Sequence, residues 1–232
     1  MNILLTGASR GIGAATLDLL RSLGHQVAGH STKGANGLVA GDLSDPAAPR
    51  RIWEEAVDRL GRVDALVNNA GIYEAIAEDA SDADWQAAWT RTLTVNLTAA
   101  ADLCRLAIAH FKANGGGRIV NVSSRAAYRG DSPQHWHYAA SKSAMIGMTK
   151  TIARAYASDG ILAFAVAPGF TVSEMTEEYL SGRGGAAILA DIPLGRVTST
   201  AEVAEAVRWL ATEAPAASTG SVIDLNGASY VR

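Results

Sequence analysis

The stretch "TGASRGIGA", residues 6–14, is fed by the apolar run "NILL" and opens into residues with helical spacing. Its glycines, Gly7, Gly11 and Gly13, stand where a strand turns into a helix. Glycine lets backbone approach a ligand closely there, and N–H groups at the helix start can hold a pyrophosphate. The stretch therefore predicts a dinucleotide site at the first strand-to-helix turn. The alternative is an ordinary glycine-rich turn.

Outward from that turn, short runs rich in Val, Ile and Leu recur at 26–30, 37–41, 64–71, 117–124, 161–169 and 221–227. Turn residues bound them, as buried parallel strands require. Helical spacing predicts helices over 11–23, 46–60, 82–113, 136–157, 172–182 and 200–212. This alternation predicts an α/β fold, a doubly wound parallel sheet with helices on both faces. No repeat or linker divides the chain, so residues 1–232 read as a single dinucleotide-binding and catalytic domain. "STKGAN" leaves no room for a helix between the second and third runs, and that crossover is expected to be a loop.

Composition narrows the function. The 232 residues are 48% hydrophobic and 19% charged, enough to bury a sizeable core, and the net charge is -3. No basic stripe is present, which argues against nucleic acid as a partner. The single cysteine, Cys104, cannot form an internal disulfide and reads as helix packing in a reducing compartment. The start, "MNILLTGAS", lacks a basic n-region, and no run of about 18 apolar residues occurs, so a cytoplasmic protein without a membrane span is expected.

The second strand suggests which dinucleotide binds. An NAD site usually carries an acid about 20 residues beyond the glycine turn, for the ribose 2′-hydroxyl. From Leu19 to Gly41 there is no Asp or Glu; "HSTK" (30–33) ends the second run instead, and Arg10 sits inside the glycine turn. Arg and Lys suit a 2′-phosphate. NADP(H) is therefore preferred, with NAD(H) possible, and solvated surface charge is the plain alternative for Arg10 and Lys33.

"HYAASKSAM", residues 137–145, places Tyr138 and Lys142 four residues apart, on one helix face. A phenol titrates near pH 10, and a neighbouring ammonium favours its ionised form. Such a pair is a tuned proton donor or a surface contact. Tyr138 could also simply pack in the core.

Taken in order, "TGASRGIG" (6–13), "GDL" (41–43), "NNAG" (68–71), "VNL" (95–97), "VSS" (122–124), "YAASK" (138–142) and "APGF" (167–170) resemble the short-chain dehydrogenase/reductase family. "IPLGR" (192–196), "EVAEAV" (202–207) and "TGSVIDLNG" (219–227) are most like its 3-oxoacyl-carrier-protein reductases. The resemblance runs from residue 2 to about 230. It implies a Rossmann-like sheet of about seven strands and an oxidoreductase moving a hydride between nicotinamide and a carbonyl or secondary alcohol. Tyr138 would be the general acid or base, and Lys142 would touch the nicotinamide ribose and lower the phenol's pKa. Ser124 would hydrogen-bond the substrate oxygen, with Ser123 as a rival, and Asn96 would hold a water linking Lys142 to solvent. The cofactor would lie along Gly7, Ser9, Arg10, Gly11, Ile12 and Gly13, then Ser31, Thr32 and Lys33. Asp42 and Leu43 would border the adenine, and Asn69, Ala70 and Gly71 the riboses. Tyr138, Lys142, Pro168, Gly169 and Thr171 would border the nicotinamide. No metal site is implied. The substrate would be a small carbonyl or alcohol compound, a 3-oxoacyl thioester among the candidates, and a homodimer or homotetramer is expected.

Several residues depart from the family pattern. Ser124 lies 14 positions before Tyr138, one more than usual in the family. "NGAS" (226–229) replaces a common double glycine. Trp136 offers a flat apolar wall near the tyrosine, whereas Trp85 and Trp89 read as an apolar face against the body or another subunit. "TVSEM" (171–175) and "SGRGG" (181–185) suggest a flap over the site. Arg183 and Arg196 are isolated, so the flap offers no arginine pair for an anionic substrate. Rival functions are a dinucleotide-binding regulator without chemistry, an NAD-dependent alcohol or polyol dehydrogenase, and an epimerase or dehydratase. The last usually needs a longer chain.

Overall fold

The computed structural model describes residues 1–171 and 185–232. Seven parallel strands form one sheet: β1 Asn2–Leu5, β2 Gln26–Ser31, β3 Val39–Ala40, β4 Ala65–Asn68, β5 Gly117–Val122, β6 Ile161–Pro168 and β7 Val222–Leu225. Their order is β3-β2-β1-β4-β5-β6-β7. The chain reverses direction across the sheet between β1 and β4, and ligands bind outside the carboxyl ends at such a point.

Apolar residues on both faces of the strands explain the double cover. Leu4, Leu66, Ile119 and Ala163 face one layer, packed by α2 (Ala48–Leu60), α4 (Ala99–Ala113) and α6 (Trp136–Tyr156). Ile3, Leu5, Val67, Val120 and Phe164 face the other, packed by α1 (Gly11–Ser22) and α8 (Thr200–Thr212). Helix α8 starts on a capping box: the Glu202 N–H donates to Ser199 Oγ at 3.2 Å and the Ser199 N–H to Glu202 Oε2 at 2.8 Å.

Several details differ from the sequence expectation. The predicted helix over 82–113 is α3 (Asp82–Leu93) and α4 joined by a π-helical turn, Thr94–Thr98. Two short helices have no counterpart in that expectation, α5 (Ala126–Arg129) and α7 (Gly185–Ala190). The predicted helix over 172–182 lies outside the described residues. The crossover between β2 and β3 is a loop with one 3-10 turn, Ala35–Gly37. By length and composition Asp82–Ala113 could cross a membrane. Its apolar residues Leu103, Cys104, Ala107 and Phe111 are core residues against the sheet.

Candidate active site

The glycine turn is welded to the end of β4. A Cβ on Gly13 would fall 1.9 Å from the Gly7 carbonyl oxygen, and one on Gly7 would fall 2.8 Å from the Ala70 Cα. No other residue permits that approach. Asn69 Nδ2 donates to the carbonyls of Thr6 and Gly7 at 2.9 and 3.0 Å. Thr6 Oγ1 accepts the N–H groups of Asn69 and Ala70 at 3.0 Å each. Gly11, at φ +56°, begins α1, and a Cβ there would meet open space. No side chain caps α1 and its first turn has no acid, so its first-turn N–H groups have no side-chain acceptor among the described residues. This cradle fits a pyrophosphate.

His30 ties the turn to β3. Its Nε2 lies 2.8 Å from the Gly41 carbonyl, and the Gly7 N–H reaches its Nδ1 at 3.4 Å. Burial holds its pKa down, so the ring is neutral and these partners fix the proton on Nε2. At the end of β2, Ser31 Oγ accepts the Gly34 N–H at 3.1 Å, while Thr32 is exposed. Arg10 and Lys33 are exposed and have no salt bridge among the described residues. Asp42 is exposed and accepts both the N–H and Oγ–H of Ser44, at 2.9 and 2.8 Å, which lowers its pKa. Helix α2 has Ala47 as its N-cap, without a side-chain bond of its own, and the Ala47 N–H donates to Asp45 Oδ1 at 2.9 Å.

Tyr138 and Lys142 stand on α6, docked to β4 and β5 by buried polar groups. Asn68 Nδ2 donates to Asn121 Oδ1 at 2.9 Å, and Asn121 Nδ2 to Thr149 Oγ1 at 2.8 Å. Ser123 Oγ donates to the Lys142 carbonyl at 2.9 Å, and Lys142 Nζ to the Val122 carbonyl at 2.9 Å. Ser123 is thus turned inward. Ser124 faces the cleft that Tyr138 also lines, and accepts the Ala126 N–H at 3.1 Å. The π turn buries Asn96 fully. Its Oδ1 accepts the Ile72 N–H at 2.8 Å, and its Nδ2 reaches the Ile72 carbonyl and Ser141 Oγ at 3.0 and 3.2 Å. A Cβ on Gly71 would sit 3.3 Å from Asn96 Oδ1 and 3.5 Å from Lys142 Nζ.

The expected lowering of the phenol's pKa is absent here. Burial pushes Tyr138 up to about 12, against the lowering influence of the nearby Ser124 hydroxyl, and pushes Lys142 down to about 8. The ammonium lies 5.8 Å from the phenol ring centroid and points at the Val122 carbonyl, so loss of water outweighs its attraction.

In front of Tyr138 lies a cleft of about 520 Å³. Tyr73, Ser124, Tyr138, Gly169, Phe170 and Thr171 line one part; Arg125, Arg129, Asp131 and Asp191 line another. The Tyr73 ring is stacked on His135 at 3.8 Å and meets Tyr138 edge-on at 4.8 Å. Pro168, at the end of β6, accepts the Arg125 N–H at 2.8 Å.

Residues 1–184 match the family model described as short chain dehydrogenase. The chain belongs to the short-chain dehydrogenase/reductase family. It is an oxidoreductase acting on carbonyl or alcohol groups with a nicotinamide dinucleotide. This dehydrogenase is 35% identical to the 3-oxoacyl-[acyl-carrier-protein] reductase FabG of Escherichia coli K12, over 98% of this chain and 96% of that one. It is 36% identical to the protein of that name from Thermotoga maritima, over 97% and 95%. Among solved structures it resembles the TT0495 protein of Thermus thermophilus, with a TM-score of 0.89 at 27% identity over 97% of each chain.

The short-chain dehydrogenase brings Ser124, Tyr138, Gly169 and Thr171 to one cleft, with Lys142 and Asn96 buried behind it. The proposed flap over 171–175 and 181–185 lies outside the described residues, apart from Thr171 and Gly185. Trp136 does not line the cleft; it is 52% exposed and meets Trp85 edge-on at 5.3 Å. Trp89 lies 5.9 Å from His137, so the tryptophans form an aromatic cluster on the body. The aromatic wall is instead Tyr73, in a loop with no periodic signal. His30, Arg125 and Arg129 were also missed; the loop "RAAYRGDSPQHW" has no pattern that aims its arginines at Tyr138.

Proposed function

We propose that this dehydrogenase reduces a carbonyl compound with NADPH, with Tyr138 as proton donor, a 3-oxoacyl thioester being the first candidate substrate. The observation that carries this reading is that Tyr138 and Ser124 line the wall of one cleft, with Lys142 buried one helical turn from the tyrosine. The dinucleotide would supply hydride to the carbonyl carbon. Its pyrophosphate would rest on the Gly7–Gly13 turn, Ser9 and Ile12 included. Asp42, Leu43, Asn69, Ala70 and Gly71 would flank the adenosine and riboses, and Pro168, Gly169 and Thr171 the nicotinamide.

The chain's own groups do the rest. Ser124 Oγ already accepts the Ala126 N–H, so its hydroxyl proton is available for the substrate oxygen. Charge building on that oxygen meets two donors, Ser124 and Tyr138. A phenol held near pKa 12 is protonated at neutral pH, the form a proton donor needs. Lys142 replenishes the proton, and Asn96 positions the Ile72 peptide and a water beyond it. Arg10 and Lys33 favour NADPH because both are exposed beside a strand end without a carboxylate. Residues 1–232 act as one domain. A cytoplasmic homo-oligomer is proposed as well, supported by the single buried cysteine for the compartment and by the exposed Trp136, set against Trp85 of α3, for association.

The test is oxidation of NADPH and NADH in the presence of an acetoacetyl thioester, a diketone and a keto-sugar. Turnover is expected with NADPH at least about tenfold faster than with NADH. Equal rates with both cofactors would remove the NADP assignment, and no turnover with any pair would remove the reductase assignment.

A further inference from the structure

Beside Tyr138 and Ser124, two arginines at either end of the short helix α5 converge on one carboxylate. Arg129 grips both oxygens of Asp191, Nη2 reaching Oδ1 at 3.1 Å and Nη1 reaching Oδ2. Arg125 Nη1 reaches the same Oδ2 at 3.4 Å. The Arg125 side chain is only 12% exposed and its guanidinium lies 5.0 Å from the Phe170 ring centroid, whereas Asp191 is 41% exposed. The cleft's other carboxylate, Asp131, accepts the Tyr73 hydroxyl at 3.1 Å and the Ser132 N–H at 2.8 Å. Among the described residues, the two guanidinium groups therefore share Asp191 as their direct carboxylate partner. Arg125 is thus a cation largely out of water whose direct partner is shared and half-exposed. Burial and the charge of Arg129 act against the charged form of Arg125, while Asp191 and Asp131 act for it.

We propose that Arg125 and Arg129 form an anchor for a carboxylate on the substrate, and that Asp191 is the internal carboxylate this group displaces. The inference rests on the reductase reading of the same cleft and adds short keto acids to the carbonyl compounds that cleft would take. Asp191 itself shows that the clamp accepts a carboxylate in a bidentate fork, the geometry in which arginine binds that group best. One cleft holds the clamp and the proton donor, so a short keto acid would present its carbonyl to Tyr138 with its acid end fixed. Fixing one end of a small substrate lowers the entropy lost in aligning the other.

The test measures binding apart from turnover. Levulinate and its methyl ester are titrated calorimetrically into the full-length Tyr138→Phe variant with NADP⁺, and turnover of both by the unmodified enzyme is measured alongside. The acid is expected to bind about tenfold tighter than the ester. Arg129→Gln should close that gap to about twofold, and Asp191→Asn, which removes the internal competitor, should widen it several-fold. Equal binding of acid and ester, no measurable binding of the acid, or a gap indifferent to both substitutions would overturn the anchor. Turnover of the ester without acid preference would leave the reductase standing and remove the anchor. Acid preference in binding with no turnover of any ketone would keep the anchor and remove the reductase.

Discussion

Around Gly13 the chain meets itself backbone to backbone, and an added Cβ would fall 1.9 Å from the Gly7 carbonyl oxygen. Around Arg129, at the other end of the crevice, the contacts run between side chains of half-exposed loops. The first wall tolerates no change because no side-chain rotation relieves a clash with main chain. The second can exchange one charge or ring for another while the sheet stays as it is. The common part of the chemistry, cofactor and proton transfer, stands on the rigid wall and on α6, and the part that selects a substrate stands on the loops.

The harshest way to break this contrast is Gly13→Ala. The clash should remove dinucleotide binding and lower stability by at least about 3 kcal/mol, read by fluorescence titration and thermal melting. Arg129→Gln, by contrast, should change stability by less than about 1 kcal/mol, since it breaks a half-exposed pair. An unchanged melt for Gly13→Ala would show that the turn is softer than its geometry implies.

Lys142 sharpens the comparison between stability and function. Its folded-state pKa is near 8, below the ordinary 10.5, so between those values the unfolded chain binds more protons and stability rises with pH. Below about pH 8 the full cost of burying the charge is present, of the order of 3 kcal/mol. Lys142→Met should therefore raise the melting temperature at pH 7 by several degrees while cutting turnover about a hundredfold. Reduction by the unmodified enzyme should fall as pH rises through about 8, when the ammonium loses its proton. A pH–rate profile flat to pH 10 would remove the lysine from the proton path. The smallest effect is expected at the exposed Arg10. Arg10→Ala should weaken NADPH about tenfold and NADH less than about twofold, measured as dissociation constants. Equal weakening would point to the pyrophosphate shared by both cofactors.

The strands were legible because buried parallel strands leave continuous apolar runs, and the glycine turn because its spacing is local. Helix α6 was legible for the same reason, since Tyr138 and Lys142 lie one turn apart on it. The π turn at Asn96 was hidden, because its extra residue leaves the helical spacing of 82–113 nearly undisturbed. Ser123 and Asn68 belong to recognisable motifs, yet their structural duties, on the Lys142 carbonyl and on Asn121, follow only from the pairing of β4 with β5. Tyr73, Arg125, Arg129 and Asp191 come from loops that are distant in sequence. No local pattern indicates that such loops close around one volume.

The central claim is that Tyr138 gives the proton during reduction. It is tested most directly by mixing NADPH-loaded enzyme with acetoacetyl thioester in a single turnover, using the unmodified chain and Tyr138→Phe at equal NADPH occupancy. The account predicts rapid loss of NADPH absorbance in the first and a rate at least about a thousandfold lower in the second, with NADPH binding retained. A Tyr138→Phe rate within about tenfold of the unmodified chain would contradict it and assign the proton to another group of the cleft.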